Sequence, residues 1–294
     1  MPDRPVSKLI PFGRGRLSND FLGFTHIAKL HHDLNEHKGT SVAVDLRNVT
    51  WFDAHLSAPL RVVVEQARLV GTNVRFVNVP ERIRIVLCKN RFLIEEKFDN
   101  FGTTMPIQCF NIDNGVDFSK YAKRNIDRKE FPRMTESLKS KFFEGIDEIF
   151  ANCSLHSKTR TSIVASGQFF PNVNRLDFAL ADGGLGIRKV ILQSLEIDIP
   201  SHKAIEWAMT PNNTTRKGDI PGGLGSKILR DFIEINRGRL FVVSEDGLWT
   251  QRGSHVSSEK LAFSFPGTFV ILEIDTSDRR SYDLASVPDP RDIW

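Results

Sequence analysis

Two glycine clusters, each joined to a regular run of opposite periodicity, restrict this chain to an α/β fold more than any other feature. Leu176-Asp177-Phe178-Ala179-Leu180-Ala181 sets Phe178 and Leu180 in alternation with smaller residues, as a strand does, and leads into Asp182-Gly183-Gly184-Leu185-Gly186. Gly222-Gly223-Leu224-Gly225 instead opens onto Ser226-Lys227-Ile228-Leu229-Arg230-Asp231-Phe232-Ile233, a helix that ends near Asn236-Arg237-Gly238. Glycine lets backbone approach a ligand closely, and a glycine-rich entry to a helix presents unpaired N–H groups and a positive dipole end to an anion. An Asp at the end of a strand can accept a hydrogen bond from an exocyclic amine.

A third stretch precedes these two. From Thr135 to Ser157 the apolar residues Leu138, Phe142, Phe143, Ile146, Ile149, Phe150 and Cys153 form one buried stripe of a helix. Glu144, Glu148, Asn152 and His156 recur every fourth residue and make a polar ladder on one face. Such a ladder can offer a carboxylate base, an amide oxygen for a cation and a further polar contact. Downstream, Arg239 to Ser244 and Gly267 to Ile274 read as strands of a common sheet, with Glu245-Asp246-Gly247 as a turn.

A length of 294 residues exceeds most single domains, and 40% hydrophobic residues with 22 Phe supply two cores. The polar, basic run from Ser119 to Glu130, closed by Phe131-Pro132, divides the chain into a first domain over 1–118, a linker over 119–134, a second domain over 135–278 and a tail over 279–294. In the first domain, Ser41 to Leu46 reads as a strand buried on both faces, Ala58 to Leu69 as a helix and Val74 to Val79 as a second strand, hence a parallel βαβ pair. Asp20 to Glu36 reads as an amphipathic helix with Phe21, Phe24, Ile27, Leu30 and Leu34 inward. His26, His31, His32 and His37 then fall on its solvated side rather than in a metal site. Asp53 suits the N-cap of the helix that follows it.

Cys88, Cys109 and Cys153 are far apart and form no CxxC pair, so neither a disulfide framework nor a zinc site is indicated. Met1-Pro2-Asp3-Arg4-Pro5 lacks the apolar run of a secretory signal, and no stretch approaches the ~18 apolar residues of a membrane span. A cytoplasmic protein without membrane contact is therefore expected. The net charge of +4 does not by itself indicate a nucleic-acid partner.

The run Asp45-Leu46-Arg47-Asn48-Val49-Thr50-Trp51-Phe52-Asp53-Ala54-His55-Leu56 resembles the strand–turn–helix signature of STAS regulatory modules, with Ala54 where phosphorylatable members carry Ser. The three stretches of the second half, in their order, resemble the boxes of the GHKL (histidine kinase-like, gyrase-like) ATPase superfamily. That resemblance implies an α/β sandwich with helices over one face of a mixed sheet, and ATP with Mg2+ as ligands. Carried over residue by residue, it gives Glu148 as the carboxylate that activates water, Asn152 as the magnesium ligand and His156 as a further contact. Asp182 becomes the adenine reader, with Gly184 and Gly186 shaping the base pocket. Gly222, Gly223, Leu224 and Gly225 become the phosphate loop, and Thr215, Arg216 and Lys217 belong to a lid over the triphosphate.

Three functions fit these residues. One is an ATP-binding regulator with slow Mg-dependent hydrolysis, of bacterial type and similar to anti-sigma kinases, coupled to a protein partner or a second copy of itself. Another is a protein Ser/Thr kinase acting on a separate STAS-like partner. The last is a non-catalytic interaction protein that nucleotide only stabilises.

Overall fold

The computed structural model describes residues 7–95, 99–210, 213, 215, 224–278 and 281–283. Its first unit comprises β1 (Lys8–Pro11), β2 (Gly15–Leu17), α1 (Phe21–Asn35), β3 (Ser41–Asp45), β4 (Val49–Phe52), a 3-10 turn (Ala54–Leu56), α2 (Ser57–Leu69), β5 (Asn73–Val77) and α3 (Glu81–Lys89). β1, β3 and β5 form a parallel sheet with β3 central, and β2 pairs in parallel with β4. Every residue of β3 is buried, which suits its run of small and β-branched side chains. The expected strand–helix–strand unit is therefore present. α1 begins where Oδ1 of Asp20 accepts the Gly23 N–H at 2.7 Å, and it buries Phe24, Ile27, Leu30 and Leu34.

The second unit begins with β6 (Thr104–Phe110) and α4 (Gly115–Ile126), followed by α5 (Glu136–His156), β7 (Ile163–Phe170), β8 (Arg175–Asp182), α6 (Ile187–Leu195) and α7 (Ser201–Met209). It closes with α8 (Leu224–Asn236), β9 (Arg239–Ser244), β10 (Gly247–Arg252), β11 (His255–Lys260) and β12 (Thr268–Asp275). Its sheet has the order β11-β10-β9-β12-β8-β7-β6. The sheet was expected to be mixed, but each of these neighbours is antiparallel. The physical reason lies in the crossover from β8 through α6, α7 and α8 to β9. That crossover leaves β8 and β9 running the same way with one empty slot between them, and β12 fills the slot in the opposite direction.

The two units meet differently from the sequence division. β6, assigned by composition to the first domain, pairs with β7, and the first half of the run expected as a linker, 119–126, belongs to α4, whose Phe118 stacks on Phe150 of α5 at 4.5 Å. Helices were expected over one face of the sheet, yet both faces are covered. α4, α5 and α8 cover one face, their Phe118, Phe142 and Phe232 sharing one buried cluster with Phe178 and Leu180 of β8. α1 and α2 of the first unit cover the other, where Phe24 meets Phe241 and Phe269 edge to face at 5.5 and 5.4 Å. The alternation noted in β8 has this meaning: Phe178 and Leu180 fill the helix side, and Ala179 and Ala181 let α2 approach the other. Burying one such Phe contributes about 1.5–3 kcal/mol.

Two of the α1 histidines contact the loop before β12, His31 half-buried and His32 exposed to solvent as expected. His31 Nδ1 lies 3.1 Å from the Ser264 carbonyl, and the His32 ring is 5.2 Å from that of Phe263. Tyr282, within the expected tail, is buried against Phe232 and accepts the Thr135 N–H at its carbonyl. No helix among the described residues is long and apolar enough to cross a membrane.

Candidate functional site

α5, α6 and α7 stand over the ends of β8, β9 and β12 and enclose a cavity of about 200 Å³. Its walls are mostly apolar, with Ile149, Leu185, Ile187, Trp207, Val242 and Val270 among them. Its polar lining includes Asn152 and His156 from α5, Asp182 from the end of β8, Thr268 from the start of β12, and Asn213 and Thr215 from the segment after α7. The helical repeat of four residues brings Asn152 and His156 to one face. The β8–β12 register sets Thr268 directly opposite Asp182.

Asp182 is the charge at the centre of this arrangement. It is 2% exposed, and its Oδ1 accepts the Gly184 N–H at 2.8 Å. Burial pushes its carboxyl up to about 7, against the opposing effect of hydrogen bonds from Gly184 and the Cys153 thiol. The same burial, with the Asp182 carboxylate beside it, raises the Cys153 thiol well above its usual range. A carboxyl in an apolar cavity that titrates near neutrality can accept from an N–H donor as the carboxylate.

The turn carrying Asp182 is packed on all sides. A Cβ at Gly184 would run into the Ser157 carbonyl oxygen, which already accepts the Leu185 N–H. A Cβ at Gly186 would strike the Glu245 side chain. Gly267, at φ +113°, presses against the Asp182 carbonyl, a backbone conformation that L side chains rarely adopt. Ser244 completes the support: its Oγ accepts the Ile187 N–H at 2.8 Å and lies 2.9 Å from Oγ1 of Thr268.

Among the expected site residues, Asn152, His156, Asp182 and Thr215 line the cavity. Gly184 and Gly186 shape the turn from behind. Glu148, one turn before Asn152 on the same face of α5, is half-buried and does not line the cavity. Arg216, Lys217, Gly222 and Gly223 lie outside the described residues, and Leu224 and Gly225 begin α8. Sequence reasoning missed Thr268 and Ser244. The signal for Thr268 was available, since Gly267-Thr268 opens a strand as Asp182-Gly183 ends one.

The donor set can be tested against the implied ligands. One buried acceptor within apolar walls suits a flat aromatic base bearing an amine. Magnesium prefers several oxygens and keeps waters and phosphates in its shell, so the Asn152 amide fits it only as one ligand beside a phosphate chain.

A second buried cluster joins the two units. Nδ1 of His55 lies 3.1 Å from Oδ2 of Asp177, its Nε2 meets the Asn19 side chain, and Asp53 completes a group of ligand-type atoms within 4.8 Å of one another. Arg175 already supplies a cation there, with Nε 3.1 Å from Asp177 and Nη2 3.3 Å from Asp53. A metal ion would sit against that guanidinium, so the cluster fits a cross-link between units better than a metal centre. Burial and the neighbouring Arg175 hold His55 down to about 3, hence neutral, while burial pushes the Asp177 carboxyl well above its usual range. Asp53 was expected to cap the helix after it; its side chain makes no cap and instead accepts the Trp51 indole N–H at 2.7 Å.

No protein-family model matches the chain, and a search of curated proteins returns no match to it.

Proposed function

We propose that this chain is a Mg-dependent ATP-binding regulatory protein whose nucleotide site is the cavity over the ends of β8, β9 and β12. The observation that carries the reading is a single buried carboxyl, Asp182, set in apolar walls with Asn152, His156 and Thr268 around it. Asp182 reads the exocyclic amine of the base through its carboxylate, and the apolar residues bind the ring and exclude water. Asn152 and His156 face the phosphate side. Magnesium supplies charge neutralisation of the triphosphate when bound, with Asn152 as its protein ligand. Glu148, on the same helix face, is the base for slow hydrolysis. The resemblance of the three sequence stretches to GHKL ATPases agrees with this assignment.

The kinase reading shares the same pocket and differs only in the acceptor, a hydroxyl of a separate STAS-like partner instead of water. Fusion of the pocket to a parallel βαβ unit is the observation that keeps it in view.

Calorimetric titration with a non-hydrolysable ATP analogue and magnesium tests the proposal. Saturable binding to the native protein, lost in Asp182→Asn, is expected; no binding at millimolar nucleotide would overturn it. Glu148→Ala is expected to bind the analogue normally and to release no phosphate from ATP, and undiminished turnover would remove Glu148 from its role.

A further inference from the structure

The turn that carries Asp182 is held from outside its own unit. Gln66, on α2 of the first unit, donates from Nε2 to the Gly183 carbonyl at 2.7 Å and lies 3.4 Å from Oγ1 of Thr161. Gly183 is the residue between Asp182 and the Gly184 N–H that orients the Asp182 carboxylate. The fit is close, because a Cβ at Gly183 would collide with the Gln66 amide. Thr161, the other contact of Gln66, belongs with Thr159 and Ser157 to the loop after α5, and Ser157 receives the Leu185 N–H. One amide of the first unit thus bridges both backbone segments that fix the carboxylate. Behind it, α2 is seated on Ala179 and Ala181 of β8, so the amide has little freedom to withdraw.

We infer that Gln66 is a positioning residue of the nucleotide site, setting the direction of the Asp182 carboxylate through the Gly183 carbonyl and so coupling the first unit to base recognition. This rests on the proposed nucleotide reading of the cavity. The coupling is reciprocal: whatever strengthens the Gln66 contact favours the base-reading turn, and a base that orders the turn tightens the seat of α2 by the same factor. A partner that shifts α2 would change affinity without touching nucleotide.

Gln66→Met keeps the side-chain length and removes the donor. Affinity is measured calorimetrically for the non-hydrolysable ATP analogue and for purine riboside triphosphate, which lacks the exocyclic amine. The variant is expected to weaken the ATP analogue about three- to tenfold, the effect of losing one hydrogen bond. It should affect the amine-free nucleotide less, narrowing the preference between the two. Gly183→Ala displaces the same amide from the other side, leaves α2 intact and should reproduce the shift. The double variant should add nothing further, because both changes break one contact. Thermal melts of all proteins accompany the titrations, so that Gly183→Ala decides the matter should Gln66→Met fail to fold. Unchanged affinity and preference in Gln66→Met would overturn the inference while leaving the pocket standing, as would equal weakening of both nucleotides. Absence of ATP-analogue binding by the native protein would instead overturn the nucleotide reading and the inference with it.

Discussion

Asp182 concentrates what is most testable at the scale of single residues. Its carboxyl is raised to about 7 by burial, so it holds a proton at mildly acidic pH and is there a weaker, uncharged acceptor for an amine. Nucleotide affinity should therefore fall as pH drops from about 8 to about 6, with the midpoint near 7 and no such slope for the amine-free analogue. The stability consequence has the opposite sense. A group raised in the folded state contributes stability that is complete below its unfolded pKa of about 4 and is lost as pH rises through about 7. Asp182→Asn removes that dependence, so urea denaturation should show the variant gaining on the native protein between pH 4 and 8, by an amount on the order of a few kcal/mol. At the neighbouring position, Gly184→Ala forces a Cβ into the Ser157 carbonyl and should cost about 1–3 kcal/mol in the same assay. Asp182 and the ladder of Asn152 and His156 were legible in the sequence, because a strand end followed by glycines and a four-residue helical repeat are local patterns. His55, Asp177 and Arg175 were not: Asp53 and Arg175 stand 122 positions apart, and no local periodicity brings them together.

Elements were read from the sequence where burial imposes a strong period. α2, β3, β5, α5, β8, α8, β9 and β12 all follow apolar runs whose spacing is set by one or two covered faces. β10 and β11 escaped such reading. β11 is an edge strand of mixed exposure, His255-Val256-Ser257-Ser258-Glu259-Lys260, with no buried face to impose alternation. The antiparallel order escaped it as well, because crossover helices suggest parallel neighbours until a later strand enters between them. The packing of α1 on the sheet gives a sharp test at this scale. Phe24 is fully buried between Phe241 and Phe269, so Phe24→Ala should lower stability by about 3–5 kcal/mol. If the two units were independent, the loss would appear in the first alone; calorimetry should show one transition shifted as a whole.

The molecule as a whole is bound together by the sheet of the second unit, which that unit's own helices cover on one face and the first unit on the other, and by a buried polar seam across the junction. In that seam Asp53, Asp177 and Glu273 face Arg175 and Arg239, and a single proton on the Asp177–His55 pair brings the cluster to neutrality. Asp177→Ala leaves His55 and Arg175 without that partner in a dry environment and should cost about 3–5 kcal/mol, read from urea denaturation. The place of β12 carries a consequence for how the protein is made. Among the described strands the last to be synthesised, β12, occupies the middle of the sheet, between β8 and β9, both made before it. At ~5–20 residues per second on the ribosome, β8 and β9 must wait seconds with hydrogen-bonding edges open before their partner emerges. A nascent chain halted before Thr268 would thus be missing a keystone rather than a margin.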